Sequence, residues 1–337
     1  MEDKALIKRG WAALLMILFL IPAAARAERT YGAWLPYWEI DASLDEAQAL
    51  DGRLDTAIAF AAILDENDRP FLLGEAEELL LAMNMQLGGT GTRVLLSVVN
   101  DVQMREGEYE NKSTEPLRRL FADEESMDAH IGRLLRLVDA YGLDGLEIDY
   151  ENLQDDAGLW AQYADFIGRL YEKMAAEGLT LRIVLSWDAP RYVQLPAGPE
   201  YTVMCYNLYG YHSGPGPKAD YAFLDETAAL YQEVPGEVRM AFATGGFDWV
   251  GDSVDRALTQ QEAEQILREQ GVTPIRDEES GALYAHYQRE GEAHTVWYAD
   301  AVTLSLWCGR MEEQGYHSFD FFRLGGNVLS DWEENLF

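Results

Sequence analysis

The sequence predicts one α/β domain over residues 28–337, folded as a (β/α)8 TIM barrel. Three observations carry this: eight short β-rich runs, helical periodicity between them, and near-continuous apolar stretches within several runs. The runs are 31–35, 56–63, 93–99, 146–150, 181–187, 202–208, 238–244 and 318–322. Val94-Leu95-Leu96-Ser97-Val98-Val99 is the pattern of a parallel strand covered on both faces. A doubly wound open sheet is the alternative arrangement of the same elements.

The intervening helices have recognisable ends. Ile131, Leu134, Leu135, Val138 and Tyr141 share one helical face that stops at Gly142. Leu159, Tyr163, Phe166, Ile167, Leu170 and Met174 form a second face, stopping at Gly178. Thr259 with Glu262 makes a capping box for a helix ending at Gly271, and Asp300 is an N-cap for a helix ending before Gly315. Residues 247–298 are too many for one crossover. They contain the capped helix and a hairpin, 282–287 with 294–298, which reads as an elaborated loop before the last helix. The chain has no internal repeats, low-complexity tracts or linkers.

Residues 1–27 read as a signal peptide. Lys4, Lys8 and Arg9 precede an apolar run from Trp11 to Ile21, then Pro22 and a small-residue site, Ala25-Arg26-Ala27. The uncharged stretch 10–25 is shorter than the roughly 20 residues a membrane span needs. A secreted protein without stable membrane insertion is therefore expected, retention as a membrane anchor being the alternative. With 26 basic and 59 acidic residues the net charge is −33, a field that repels nucleic acid and anionic membranes and leaves a neutral polymer as the easier partner. Cys205 and Cys308, both in apparent core elements, read as two buried thiols. The five histidines lack ligand spacing, so neither metal nor cofactor is expected. A monomer is expected.

The most informative stretch is Asp144-Gly145-Leu146-Glu147-Ile148-Asp149-Tyr150-Glu151. Alternate residues of a strand share a face, so Leu146, Ile148 and Tyr150 turn to the helices while Glu147, Asp149 and Glu151 turn inward. Three carboxylates inside a barrel are costly as mere packing, and Glu151 stands at the C-terminal strand end, where barrel enzymes hold their chemistry.

The stretch resembles the DxxDxDxE signature of glycoside hydrolase family 18, the chitinase family, with Glu147 where the family usually has Asp or Asn. Met204-Cys205-Tyr206-Asn207 is similar to its sixth-strand pattern, Met-x-Tyr-Asp/Asn. Residues 31–38, Trp297-Tyr298-Ala299-Asp300 and Phe321-Phe322-Arg323-Leu324-Gly325 resemble its first strand and the end of its barrel. The likeness spans about residues 30–327, closest in flavour to the compact bacterial branch acting on peptidoglycan or spore cortex.

The resemblance implies a retaining hydrolase of N-acetylated glycans that uses the substrate's own acetamido group as nucleophile. Glu151 would be the general acid, Asp149 the residue that orients the acetamido group, and Glu147 its proton-sharing neighbour. Tyr206 would donate to the acetamido carbonyl. Asp144, Asn207, Trp34, Met204, Trp297 and Phe322 would complete the substrate site, with Tyr37, Trp38 and Trp249 as further stacking candidates. Phe322 stands where the family usually has Trp. A non-catalytic glycan-binding barrel is the alternative.

Overall fold

The computed structural model describes residues 28–337 apart from Glu106 and Asp155; the expected signal segment lies outside them. The eight barrel strands are β1 (Thr30–Pro36), β2 (Thr56–Asp65), β3 (Arg93–Arg105), β4 (Gly145–Asp149), β5 (Thr180–Ser186), β6 (Glu200–Met204), β7 (Val238–Ala243) and β8 (Ser318–Phe322). Each pairs in parallel with its neighbours, and β1 pairs with β8, so the ring closes. Closure rules out the open sheet. Among the described residues no helix is long and apolar enough to cross a membrane.

The helices form where local chemistry marks their ends. Asp123 accepts from Ser126 N to start Glu124–Tyr141, and Gly142 ends it with φ 61°, a left-handed conformation that glycine adopts without a Cβ clash. The Thr259/Glu262 capping box and the Asp300 cap are both formed. One crossover departs from the expected alternation. Between β5 and β6 there is only the short 3-10 turn Ala189–Arg191, because Pro190, Pro196 and Pro199 leave no room for an α-helix.

The strand alternation sorts the apolar residues into two layers. Leu146, Ile148 and Tyr150 of β4 pack outward against Leu159, Tyr163 and Phe166 of the helix Ala157–Ala176. Trp34, Ile58, Leu95, Val184, Met204 and Ala241 fill the barrel interior. Both cysteines are free and buried in the outer layer.

Beneath the inner layer lies a charged one. Asp320 of β8 pairs with Arg182 of β5 and, at 3.0 Å, with Arg239 of β7, all three essentially inaccessible to solvent. Gly32 makes room for this triad. A Cβ there would lie 2.2 Å from Asp320 Oδ1, so any side chain would displace the carboxylate that neutralises both guanidiniums.

The expected elaborated loop is larger than a helix and a hairpin. Gly245–Val250, Ser253–Leu258, Ile275–Arg276, Leu283–Arg289 and Glu292–Ala299 form a five-stranded antiparallel sheet. The helix Gln260–Gln270 covers it through a small core of its own, including Leu258, Ile266, Tyr287 and Val296. Gly246 permits the central pairing, since a Cβ there would sit 1.8 Å from the carbonyl oxygen of Trp297.

Candidate active site

The site is built on β4. Glu147 and Asp149 project inward as the alternation requires, and Glu151 follows at the rim. Register places Glu147 level with Ser97 of β3 and Arg182 of β5. Glu147 Oε1 accepts from Trp34 Nε1 at 2.6 Å, and its Oε2 lies 3.6 Å from Arg182 Nε. Burial raises the Glu147 carboxyl above the ordinary range, against the opposing charge of Arg182.

Asp149 is 6% exposed and so nearly enclosed beneath the rim. Burial pushes it up to about 7; Lys112 opposes the shift, and the charges of Glu151 and Glu147 add to it. Its Oδ1 is buried with no hydrogen-bond partner among the described residues, and the same holds for Glu147 Oε2. Burial thus raises both neighbouring carboxyls, while Arg182 opposes the shift at Glu147 and Lys112 opposes it at Asp149.

Lys112 is the cation that sequence reading missed. Its Nζ lies 2.7 Å from Glu151 Oε1 and 3.4 Å from Asp149 Oδ2. Burial disfavours its charge, but the Asp149 and Glu151 carboxylates outweigh that and hold it above the usual lysine value. It arrives on the loop after β3, where Asp101 Oδ1 accepts from Lys112 N at 2.7 Å. Asn100, also missed, clamps the Glu151 backbone from both sides: its Oδ1 accepts from Glu151 N at 2.9 Å and its Nδ2 donates to Glu151 O at 3.1 Å. Asn100 is a fully buried polar residue at the C-terminal end of a barrel strand, a legible signal. Lys112 has none, since it is distant in sequence from every partner.

Two strands along from β4, strand β6 stops at Met204, short of the expected 202–208, and Tyr206 and Asn207 fall in the loop beyond it. Asn207 takes φ 70°, which turns the chain at the rim. Tyr206 stacks at 21° on Phe322, centroids 6.3 Å apart, and burial raises its phenol well above the ordinary value. Tyr206 and Asn207 line two cavities. One, about 620 Å3, is lined by Glu151, Met204, Tyr206, Asn207 and Trp187, the last not anticipated. The other, about 320 Å3, is lined by Tyr206, Asn207, Thr244, Phe247, Phe322 and Arg323, with Lys218 at its edge. Both volumes suit small-ligand sites.

Four expected contacts need correction. Asp144 precedes β4 and lies at the opposite end of the barrel, where its Oδ2 accepts from Val94 N at 2.7 Å and holds the start of the β3–β4 pairing. Trp34 is 2% exposed and sits below the floor, so it orients Glu147 and offers no stacking face. Trp249 is completely buried. Trp297 stacks on Tyr284 within the inserted sheet, centroids 4.8 Å apart, and lines neither cavity. Trp38 is about half exposed, with Tyr37 and Phe60 packed edge-on against it and Arg323 over its ring.

Among the described residues one group of potential metal donors comes together, Asp248, Asp255 and His294 on the inserted sheet. Their atoms are already engaged. Asp248 accepts from Tyr287 OH at 2.6 Å and contacts His294 Nδ1 at 3.1 Å, while Asp255 pairs with Arg289.

Fold and site together define a closed (β/α)8 barrel with a carboxylate strand opening into a two-part cleft. No protein-family model matches the chain. It resembles the spore cortex-lytic enzyme SleL of Bacillus cereus, with a TM-score of 0.76 at 18% identity, covering 91% of this chain and 74% of that one. The chitinase of Chromobacterium violaceum gives a TM-score of 0.76 at 15% identity over 90% of this chain and 97% of its own. The GH18 chitinase of Cycas revoluta, solved with (GlcNAc)3, gives 0.73 at 14%, covering 90% and 98%. In sequence the chain is 22% identical over 210 residues to the Bacillus subtilis protein YdhD, which carries the name sporulation-specific glycosylase; the match covers 57% of this chain. The chain spans about half the length of that relative. It thus shares the fold of the family 18 chitinases and cortex-lytic enzymes.

Proposed function

We propose that the protein is a secreted glycoside hydrolase that cleaves β-1,4 linkages of N-acetylglucosamine-containing glycans by substrate-assisted catalysis with retention. The observation that carries the reading is the Asp149–Glu151 pair, joined by Lys112, with Asp149 Oδ1 unpartnered among the described residues and Tyr206 lining the same cavity as Glu151. Glu151 protonates the glycosidic oxygen, and the C1–O bond breaks as the acetamido carbonyl oxygen closes on C1 to give an oxazolinium ion. Asp149 accepts the acetamido N–H and stabilises the positive charge that develops; Tyr206 donates to the acetamido oxygen. Glu151, now ionised, takes a proton from the water that opens the ring. Phe322 offers an apolar floor, with less area than an indole.

The test is product analysis on N-acetylated chitooligosaccharides, purified peptidoglycan and a chitooligosaccharide stripped of its acetyl groups. Cleavage of an acetylated substrate with none of the stripped one is expected; efficient cleavage of the stripped one would rule out substrate assistance. The ion pair between Lys112 and Glu151 favours a second reading, a glycan-binding barrel that does not cut. Binding without cleavage at any pH would select it.

Lys112 supplies a further prediction. Its charge opposes protonation of Asp149, so Lys112→Met should raise the Asp149 pKa. Because Asp149 acts ionised, the acid limb of the pH profile of kcat/KM should move up by roughly 1 to 3 pH units. A loss equal at every pH, with the limb unmoved, would assign Lys112 a purely structural role.

A further inference from the structure

Lys218 has no ion pair or hydrogen bond from its ammonium among the described residues, although it stands in a chain with 59 acidic residues. Its contact is the face of Phe247, with Nζ 4.0 Å from the ring centroid. The buried basic groups elsewhere behave differently: Arg182 and Arg239 share Asp320, and Lys112 holds Asp149 and Glu151. A cation–π contact recovers less of a desolvated charge than a hydrogen-bonded carboxylate partner would.

The position of Lys218 gives this unpaired charge a direction. It lines the smaller cavity with Phe322, Thr244 and Arg323, on the far side of Tyr206 from Glu151. The guanidinium of Arg323 is turned to the carbonyl oxygens of Leu324 and Gly325 and lies 3.8 Å from Glu39. The one carboxylate lining this cavity, Glu262, is held by Thr259 N and Oγ1 in the capping box. The larger cavity has the opposite character, with Glu151, Asp188, Asp220 and Glu226 on its walls. The cleft is therefore polarised, cationic toward Phe322 and anionic toward Trp187.

We propose that Lys218 is a specificity residue for a carboxylate borne on the N-acetylated sugar itself, so that the smaller cavity takes an acidic amino sugar of the muramic type in preference to a neutral one. The proposal rests on the glycan-hydrolase reading and narrows its substrate class. Burial lowers the Lys218 ammonium to about 8, the direction a carboxylate in the cavity would reverse. The overall charge of −33 opposes an anionic ligand at long range, but surface charges are screened beyond about 8 Å at physiological ionic strength. Inside the cavity Lys218 is the charge that has no counter-ion among the described residues.

The experiment is calorimetric titration of the Glu151→Gln protein, which keeps the glycan intact, with four oligosaccharides of equal length. They are alternating N-acetylglucosamine and N-acetylmuramic acid, the same oligomer with its carboxyls reduced to alcohols, N-acetylchitotetraose, and an oligomer alternating N-acetylglucosamine with a uronic acid. The muramic oligomer should bind roughly 10- to 100-fold tighter than its reduced form. That ratio should fall to near one in Lys218→Gln and persist in Lys218→Arg, with folding of both variants checked by circular dichroism. An unchanged ratio in Lys218→Gln, or no preference to begin with, overturns the proposal while leaving hydrolysis of neutral oligomers intact. A uronic-acid oligomer that binds as tightly as the muramic one overturns the placement of the carboxylate on the acetylated ring. Binding of none of the four overturns the proposal and the reading beneath it together.

Discussion

Glu151→Gln is expected to lower turnover of an N-acetylated oligosaccharide by about 10²- to 10⁴-fold, the range a positioned general acid contributes. The amide matches the carboxyl in shape but has no proton of suitable acidity for the leaving oxygen. The backbone of residue 151 should stay in place, because Asn100 holds it through main-chain atoms that the substitution does not touch. The loss should therefore fall on kcat, with KM within a few fold of its original value. Steady-state kinetics on one chitooligosaccharide decide it. Near-normal turnover would remove Glu151 from the role of acid, and an equal collapse of affinity would mean that the side chain serves mainly to build the cleft.

The second large effect lies at the other end of the barrel and concerns stability. Asp320→Ala removes the one carboxylate shared by Arg182 and Arg239 and leaves two buried guanidiniums close to one another. Breaking a buried ion pair from one side costs about 3–5 kcal/mol, a large part of the roughly 5–15 kcal/mol that holds a domain folded. Part of the excess charge is offset by Glu147 Oε2, 3.6 Å from Arg182 Nε, and by Asp55 and Glu237, 3.1 and 3.2 Å from Arg239. Urea unfolding at neutral pH should show the midpoint falling with little change in slope. The pH dependence follows from the sign of the shift. The two arginines hold the Asp320 carboxyl below its ordinary value despite burial, so its contribution is fully present above the unfolded carboxylate pKa of about 3.9. It is lost as pH falls through the depressed folded value. The gap between wild type and variant should thus be constant from about pH 5 to neutrality and close only in strong acid. A gap under 1 kcal/mol at neutral pH would contradict the assignment of the triad as a neutralising core.

Much of this molecule is legible in local patterns. The eight strands fall where apolar runs were found, because a parallel strand buried on both faces requires such a run. The capping box at Thr259, the cap at Asp300 and the stop at Gly142 are one-turn interactions, complete within four residues of chain. The inward set Glu147, Asp149 and Glu151 follows from a period of two along one strand. Each of these depends on neighbours in sequence, and sequence displays neighbours directly.

What escaped the reading depends on partners brought from afar. Asp144 has the right residue type at the right spacing, yet it belongs to the strand end facing away from the cleft, where its carboxylate serves Val94 N. Trp34 and Trp249 have the aromatic surface that sugars prefer, and closure of the barrel and its inserted sheet buries both. Asn100 reaches Glu151 across 51 residues of chain, Lys112 reaches Asp149 across 37, and Asp320 reaches Arg182 across 138. No period or cap records such distances. The primary structure thus accounts for which elements form and which faces their carboxylates take, because backbone geometry and burial act over a few residues. The charge environment of those carboxylates is decided across strands, because the cations that set it come from β5 and from the loop after β3, which reach β4 only when the three strands pair side by side.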